Sequence, residues 1–168
     1  IQGVIRDNND TSGSPDNTVS LAKEDAGIWI LSGTNTYTGS TTVANATLTI
    51  HHAQSLGAAD GTAATGTTVR YGALRLENVG IVSSELLAMG TKASVVSVAG
   101  NNEWTGDVQL VDNDYYSRGL QVDADSLVIS GNISGGRPDY FSFGGGGQLR
   151  LSGSSDYDVK YGTFSSLT

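Results

Sequence analysis

Short runs in which apolar and polar residues alternate recur along the whole chain, while a helical periodicity is nearly absent. Typical runs are Ala46–Ile50, Ala73–Leu76, Leu120–Val122 and Gln148–Leu151. A period of two is expected of a strand that buries one face and exposes the other. The pattern therefore predicts an all-β protein, with Gly, Asn, Asp and Ser in the turns between strands.

One segment leaves the choice between helix and strand open. Leu86, Leu87 and Met89 cluster within residues 83–89, which contain no Gly. The stretch is too short for a stable isolated helix. A strand fits it at least as well.

The apolar pairs of these runs recur at steps of 26, 22, 24 and 21 residues. The pairs are Leu48/Ile50, Leu74/Leu76, Val96/Val98, Leu120/Val122 and Phe141/Phe143. A repeat of this length is typical of one coil of a β-solenoid, so the chain is expected to form roughly seven coils. The predicted inward side chains are Leu31, Leu48, Leu76, Val98, Leu120, Leu127, Leu149 and Leu151, while Thr49 and Arg150 are expected to point outward.

Two longer segments also resemble later parts of the chain. Residues 28–33 align with residues 148–153, and Asn35-Thr36-Tyr37-Thr38-Gly39 aligns with Asn102-Glu103-Trp104-Thr105-Gly106. Since Tyr37 and Trp104 occupy equivalent places, we expect both rings to pack at corners of the solenoid.

The segment 27–43, followed by residues 46–50, resembles the autotransporter-associated β-strand repeat, a passenger-type repeat of large exported bacterial surface proteins. Segments 100–110 and 127–136 fit the same unit, so the resemblance extends over almost the whole chain. It implies a single-stranded, right-handed parallel β-helix. The chain departs from the repeat at Asn45-Ala46, where Ala-Gly is usual, and at residues 155–161, where the N-T-Y-T-G turn is missing.

The chain is expected to be one β-helix domain, residues 1–168, that forms a segment of a longer solenoid. Polar stretches predict protruding loops at residues 6–18 and 111–118. Residues 1–5 and 161–167 read as apolar strands and not as polar caps. We therefore expect adjoining β-helix segments, or head-to-tail copies of this chain, as partners.

Charge and cysteine content exclude several classes of function. Nine basic residues against seventeen acidic ones give a net charge of -8 without any basic run. Nucleic acid is therefore not an expected partner. No apolar stretch is long enough to insert into a membrane. Because Cys is absent, disulfides, thiolate metal sites and a Cys nucleophile are excluded.

Candidate chemistry is sparse. None of the Asp-rich turns fits a calcium-binding motif, although Asp112 and Asp114 are the best placed for calcium. The adjacent residues His51 and His52 would face opposite sides of a strand, so they are not expected to share a metal. No catalytic motif occurs, and no catalytic residue, metal or cofactor is predicted. The candidate ligand contacts are Tyr115, Tyr116, Asp112 and Asp114, which lie on the second predicted loop.

These observations predict a non-catalytic, structural segment of an exported bacterial surface protein, located outside the cell or on its surface. Such a segment would form a rod or fibre that extends or presents adhesive regions. The competing interpretation is a β-helix that binds or degrades polysaccharides, with surface glycans as partners.

Overall fold

The computed structural model describes residues 1–8, 18–112, 115–136 and 141–154, which contain sixteen strands and no helix. The strands are β1 (Leu21–Glu24), β2 (Ile28–Leu31), β3 (Thr41–Ala44), β4 (Thr47–Ile50), β5 (Thr67–Arg70), β6 (Ala73–Glu77), β7 (Ile81–Val82), β8 (Leu87–Met89), β9 (Ser94–Ala99), β10 (Asn101–Trp104), β11 (Val108–Leu110), β12 (Arg118–Val122), β13 (Ser126–Ile129), β14 (Ile133–Ser134), β15 (Phe141–Gly144) and β16 (Gln148–Leu151).

The strands stack in three parallel sheets that form the faces of a β-solenoid. Sheet A has the order β1-β3-β5-β8-β11-β14, sheet B has the order β2-β4-β6-β9-β12-β15, and sheet C has the order β7-β10-β13-β16. From β7 onward each coil contributes one strand to every sheet, while the first coils have strands in sheets A and B alone. The predicted all-β solenoid is confirmed. It has about six turns instead of seven.

Apolar side chains form columns along the axis inside the solenoid. In sheet B the strand register aligns Trp29, Leu48, Leu74, Val95, Leu120 and Phe143. From Leu48 onward, successive members of this column are separated by 26, 21, 25 and 23 residues. In sheet C the column consists of Val82, Trp104, Ile129 and Leu151. Nearly all of these side chains are buried, so each coil supplies apolar surface to the coils on either side.

The predicted register is wrong in the fourth strand of sheet B. Val95 and Ser97 lie opposite Leu74 and Leu76, and an irregularity after Leu76 places Ala99 opposite Glu77. Val98, predicted to be inside, is the extra residue of this bulge and is only partly buried.

Other predicted positions need separate corrections. Phe143, not Phe141, pairs with Leu120. Thr49 lies in line with Ile30 and Arg75 on the outward side of sheet B, as predicted, but the neighbouring strands cover it and leave it only 5% exposed. Leu151 is only partly buried and packs against the edge of the core. The other predicted inward residues, Leu31, Leu48, Leu76, Leu120, Leu127 and Leu149, are buried.

The two longer sequence alignments have different outcomes. Residues 28–31 form β2 of sheet B, whereas residues 148–151 form β16 of sheet C, so these segments are not structurally equivalent. Asn35 and Asn102 do have equivalent roles. The amide oxygen of Asn35 accepts a hydrogen bond from the backbone N–H of Ile5, and that of Asn102 accepts one from Val79. Each Asn thus ties its own coil to the preceding coil.

The residues between β6 and β9 also answer the question left open for residues 83–89. Leu87–Met89 form strand β8, which pairs with β5 and β11. Leu87 and Met89 are fully buried. The strand interpretation is therefore confirmed for these three residues.

Candidate binding groove

The corner between sheets A and B is built by residues in a left-handed backbone conformation. Asp25, Asn45, Tyr71 and Lys92 have φ values of 57, 54, 50 and 53° respectively. Asp and Asn tolerate this conformation well, whereas Tyr and Lys adopt it less often. Because the turn recurs in successive coils, the side chains of these residues project from the same corner.

Two adjoining cavities run along this corner. The first, of about 600 Å³, lies over β9, β12 and β15, and the second, of about 650 Å³, lies over the starts of β4 and β6. Lys92 lines both cavities. We call the combined depression the corner groove. Its floor in sheet B carries short outward residues, Ala73, Ser94, Gly119 and Ser142, which leave space for a ligand.

Three successive coils place Tyr71, Lys92 and Tyr116 along the groove. Tyr71 lines the second cavity and Tyr116 lines the first, and each side chain is 50% exposed. The ammonium nitrogen of Lys92 lies 4.6 Å from the centre of the Tyr116 ring, within the range of a cation–π interaction.

The predicted ligand contacts are only partly brought together. Tyr116 lines the groove, whereas Tyr115, although 68% exposed, lines neither cavity. Asp112 supports the corner: its Oδ2 accepts hydrogen bonds from the backbone N–H and hydroxyl of Thr91, and its Oδ1 lies 3.1 Å from the guanidinium of Arg70. Asp114 lies outside the described residues.

Sequence reasoning missed Tyr71 and Lys92 as parts of the same surface. Neither residue belongs to a local motif that marks it as a ligand contact. The available signal was their spacing, since Tyr71, Lys92 and Tyr116 are separated by 21 and 24 residues. These steps match the coil length and place the three residues in successive coils.

The predicted loops are described only in part. Residues 9–17 of the first loop and residues 113–114 of the second lie outside the described residues. In the second, the chain leaves β11 at Leu110, and Arg118 is already the first residue of β12. Arg118 is buried, and its Nε donates a hydrogen bond to the backbone carbonyl of Met89.

The two histidines contact different groups. Nε2 of His51 lies 3.0 Å from a carboxylate oxygen of Glu77, and Nδ1 of His52 accepts a hydrogen bond from the backbone N–H of Gln54. Among the described residues no group of three or more His, Cys, Asp or Glu side chains is arranged to hold a metal ion.

A polar cluster lies inside the solenoid near the start of sheet A. The hydroxyls of Tyr37 and Thr41 share a hydrogen bond of 2.6 Å, and Thr41 lies beside Thr67 in the sheet. Burial raises the pKa of the nearby Glu85 to about 7; a hydrogen bond from Thr67 opposes the rise, and the charge of Asp60 adds to it. Burial likewise raises the pKa of Tyr37 to about 12.

The two aligned aromatic residues are both buried, but Trp104 is the last residue of β10 and belongs to the inward column of sheet C, whereas Tyr37 lies between β2 and β3. Tyr37 and Trp104 are both 0% exposed. The indole N–H of Trp104 donates a hydrogen bond of 2.8 Å to the backbone carbonyl of Glu85, so the buried ring leaves no polar group without a partner.

The two ends of the inward column in sheet B differ. Trp29, in the edge strand β2, is 40% exposed although it is in register with buried Leu48. The ammonium of Lys23 lies 5.6 Å from its ring centre. At the other end Phe143 is only 4% exposed. Apolar surface that belongs to the core is thus open at the β2 end and covered at the β15 end.

The architecture defines the class of protein as a parallel β-solenoid. Residues 21–50, which include β1 to β4, match the family model described as the passenger-associated transport repeat. The resemblance is therefore confirmed for this segment, and for the later segments it stays a prediction. No curated protein and no solved structure matches the chain.

The repeat and the solenoid fold together fit a structural role in a passenger domain, and the family implies an exported or surface protein. None of the described residues form a helix that is long and apolar enough to span a membrane.

Proposed function

We propose that this chain is a structural, non-catalytic segment of an exported bacterial surface protein, in which stacked coils form a rod that extends or presents adhesive regions. The observation that carries the proposal is the open end of the core column at Trp29. An inward residue that is 40% exposed, on the terminal strand of sheet B, is suited to packing against a further coil, although Ile1 already bonds to the backbone carbonyl of Ile30 on this edge.

The partner that fits this edge is an adjoining β-helix segment. Such a segment supplies an apolar side chain for Trp29 and a parallel strand for the part of β2 that Ile1 does not already bond. Burial of Phe143 favours this arrangement over head-to-tail stacking of copies, because a copy would have to dock through an end whose core column is already covered.

Surface location is tested on the natural polypeptide that contains this chain. An epitope is inserted between Gly61 and Thr62, which are both exposed. On intact bacterial cells we expect the epitope to bind antibody and to be removed by added protease. A cytosolic protein with the same epitope is the control. An epitope that stays protected until the cells are lysed would contradict the proposal.

The open end is tested with the isolated chain by light scattering and electron microscopy at rising concentration. Two copies can still associate edge to edge through β2, and we expect this association to increase with concentration and to be removed by Trp29→Glu. Tyr115→Glu, a change at another exposed aromatic residue, is the matched control and should leave the association intact. A chain that stays monomeric throughout, or one whose association survives Trp29→Glu, would contradict the role of this edge.

The absence of catalysis is tested by incubating the chain with pectin, alginate and related polysaccharides and measuring unsaturated or reducing products. We expect no turnover. Turnover that rises in proportion to the protein concentration would overturn the non-catalytic role and support the polysaccharide-degrading alternative.

A further inference from the structure

The corner groove has a distribution of charge that differs from that of the whole chain. The protein carries seventeen acidic and nine basic residues. Among the described residues no Asp or Glu lines either cavity, whereas Lys92 lines both and Arg118 lines the first. Asp25 projects from the same corner, but its carboxylate lines neither cavity, and a depression centred on a lysine favours an anionic ligand over a cationic one.

The aromatic residues of the groove indicate a ligand that extends along the axis. Tyr71 and Tyr116 lie two coils apart, which corresponds to about 10 Å at the spacing of neighbouring strands. Each ring offers an apolar face with a polar hydroxyl at its edge. Rings spaced in this way suit a polymer with recurring flat apolar faces and hydroxyl groups, which is the chemistry of a sugar chain.

The polar groups of the groove favour a glycan over an extended peptide. An extended peptide gains affinity mainly by pairing its backbone with a free strand edge. Here the backbone N–H groups of Tyr71, Ser94 and Gly119 already donate to carbonyls of neighbouring coils, over 2.7 to 3.0 Å. The side chains of Ser94, Gln121 and Ser142 line the groove. The hydroxyl of Ser142 donates to the backbone carbonyl of Arg118 and the amide nitrogen of Gln121 donates to Asp123, so these two side chains offer their oxygens as acceptors for the hydroxyls of a sugar.

From these observations we propose that the corner groove binds an acidic polysaccharide that lies along the solenoid axis. Tyr71 and Tyr116 contact alternate sugar rings, and Lys92 between them pairs with a carboxylate of the polymer. The site does not depend on the role of the chain as a rod segment, because the groove lies on the side of the solenoid and the rod contacts lie at its end.

The test measures binding to soluble polysaccharides by isothermal titration calorimetry at low and high salt. The anionic probes are polygalacturonate, alginate and hyaluronate. Dextran is the neutral polysaccharide, and poly-L-glutamate is the anionic polypeptide. We expect binding to at least one anionic polysaccharide, with an affinity that falls at high salt, and no comparable binding to dextran or poly-L-glutamate.

Two pairs of variants locate the site. Tyr116→Ala and Lys92→Gln should each weaken binding at least about tenfold, which corresponds to about 1.4 kcal/mol. Tyr115→Ala and Arg150→Gln are the matched controls, because both side chains are exposed and lie outside the groove. They should bind like the unaltered protein. Thermal melts of all four variants check that each one is folded.

Binding to none of the anionic polysaccharides would overturn the proposal. Equal affinity for dextran would overturn the assignment of an acidic ligand, and equal affinity for poly-L-glutamate would show that the groove recognises charge without recognising sugar. Equal losses in the groove variants and their controls would show that the polymer binds elsewhere. None of these results alters the antibody and protease assays of surface location.

Discussion

The hydroxyl of Thr67 donates a hydrogen bond of 2.7 Å to the carboxyl group of Glu85, which is almost completely buried. Since the pKa of Glu85 is raised to about 7 from an ordinary value of 4.5, the folded protein holds a proton that the unfolded chain releases. The contribution of this group to stability is therefore fully present below about pH 4.5 and is lost as the pH rises through about 7.

The first prediction follows from this shift. Between pH 5 and pH 8 the free energy of unfolding should fall by roughly 2–3 kcal/mol through Glu85, and Glu85→Gln should remove that part of the fall. Urea denaturation at both pH values measures it. Glu24→Gln, at an exposed position of β1, is the control. The same pH dependence in the unaltered protein and in Glu85→Gln would contradict the prediction.

A second prediction concerns Asn102, which is buried. Its amide oxygen accepts hydrogen bonds from the backbone N–H groups of Val79 and Gly80, and its amide nitrogen donates to Ser97. Asn102→Ala leaves buried groups without partners and should lower the free energy of unfolding by about 2–3 kcal/mol. The adjacent, exposed Asn101 is the control, and Asn101→Ala should change the free energy of unfolding by less than about 1 kcal/mol. Chemical denaturation measures the free energy of unfolding of both variants. Equal losses of stability in the two would contradict the role of Asn102.

The third prediction tests which side chains of the strands are covered. Leu149→Asp buries an unpaired carboxylate and should cost several kcal/mol, whereas Arg150→Asp, on the exposed side of the same strand, should cost little. Thr49→Asp belongs with the costly changes, because Thr49 is only 5% exposed. Thermal melting of the three variants measures the difference. Equal losses in Leu149→Asp and Arg150→Asp would show that the register of β16 is wrong, and a mild effect of Thr49→Asp would show that its cover by the neighbouring strands yields easily.

A fourth prediction compares two neighbouring glycines at the end of β15. Gly145 has a φ of 107°, and a Cβ atom there would lie 2.0 Å from the backbone oxygen of Val122. Gly145→Ala should therefore cost at least about 2 kcal/mol. At Gly144 a Cβ atom would meet nothing within 4 Å, so Gly144→Ala should be nearly neutral. Similar melting temperatures for the two variants would show that the corner adapts easily.

Most of the fold was predictable because apolar residues recur along the sequence at intervals of one coil. The steps between Leu48, Leu74 and Leu120 predicted stacked parallel strands, and their pairing confirms this. The register failed where local alternation is ambiguous. In Ser94–Ala99, Val residues occupy both alternating positions, so a period of two cannot decide which of them points inward. The bulge depends on the neighbouring strand, which the local sequence does not specify.

The corner groove was less predictable for a related reason. Tyr116 attracted notice because it stands beside Tyr115 in a polar stretch, yet a local sequence cannot distinguish the ring that lines the groove from its neighbour. Tyr71 and Lys92 lie near Tyr116 only because spacings of 21 and 24 residues each correspond to one coil and place the three residues at the same corner of successive coils. A surface formed across coils is visible in the sequence only after the register is known.

The parallel stacking also determines how this molecule would respond to mechanical load. Hydrogen bonds between coils point along the axis, so tension along the axis acts on the contact between one coil and the next. A coil contributes a height of about 4.8 Å while stacked. Once detached, its 21 to 26 residues extend to roughly 70–85 Å. A detached coil would therefore span more than ten times the height that it has when stacked. Under strong tension along the axis, we expect the solenoid to unwind one coil at a time.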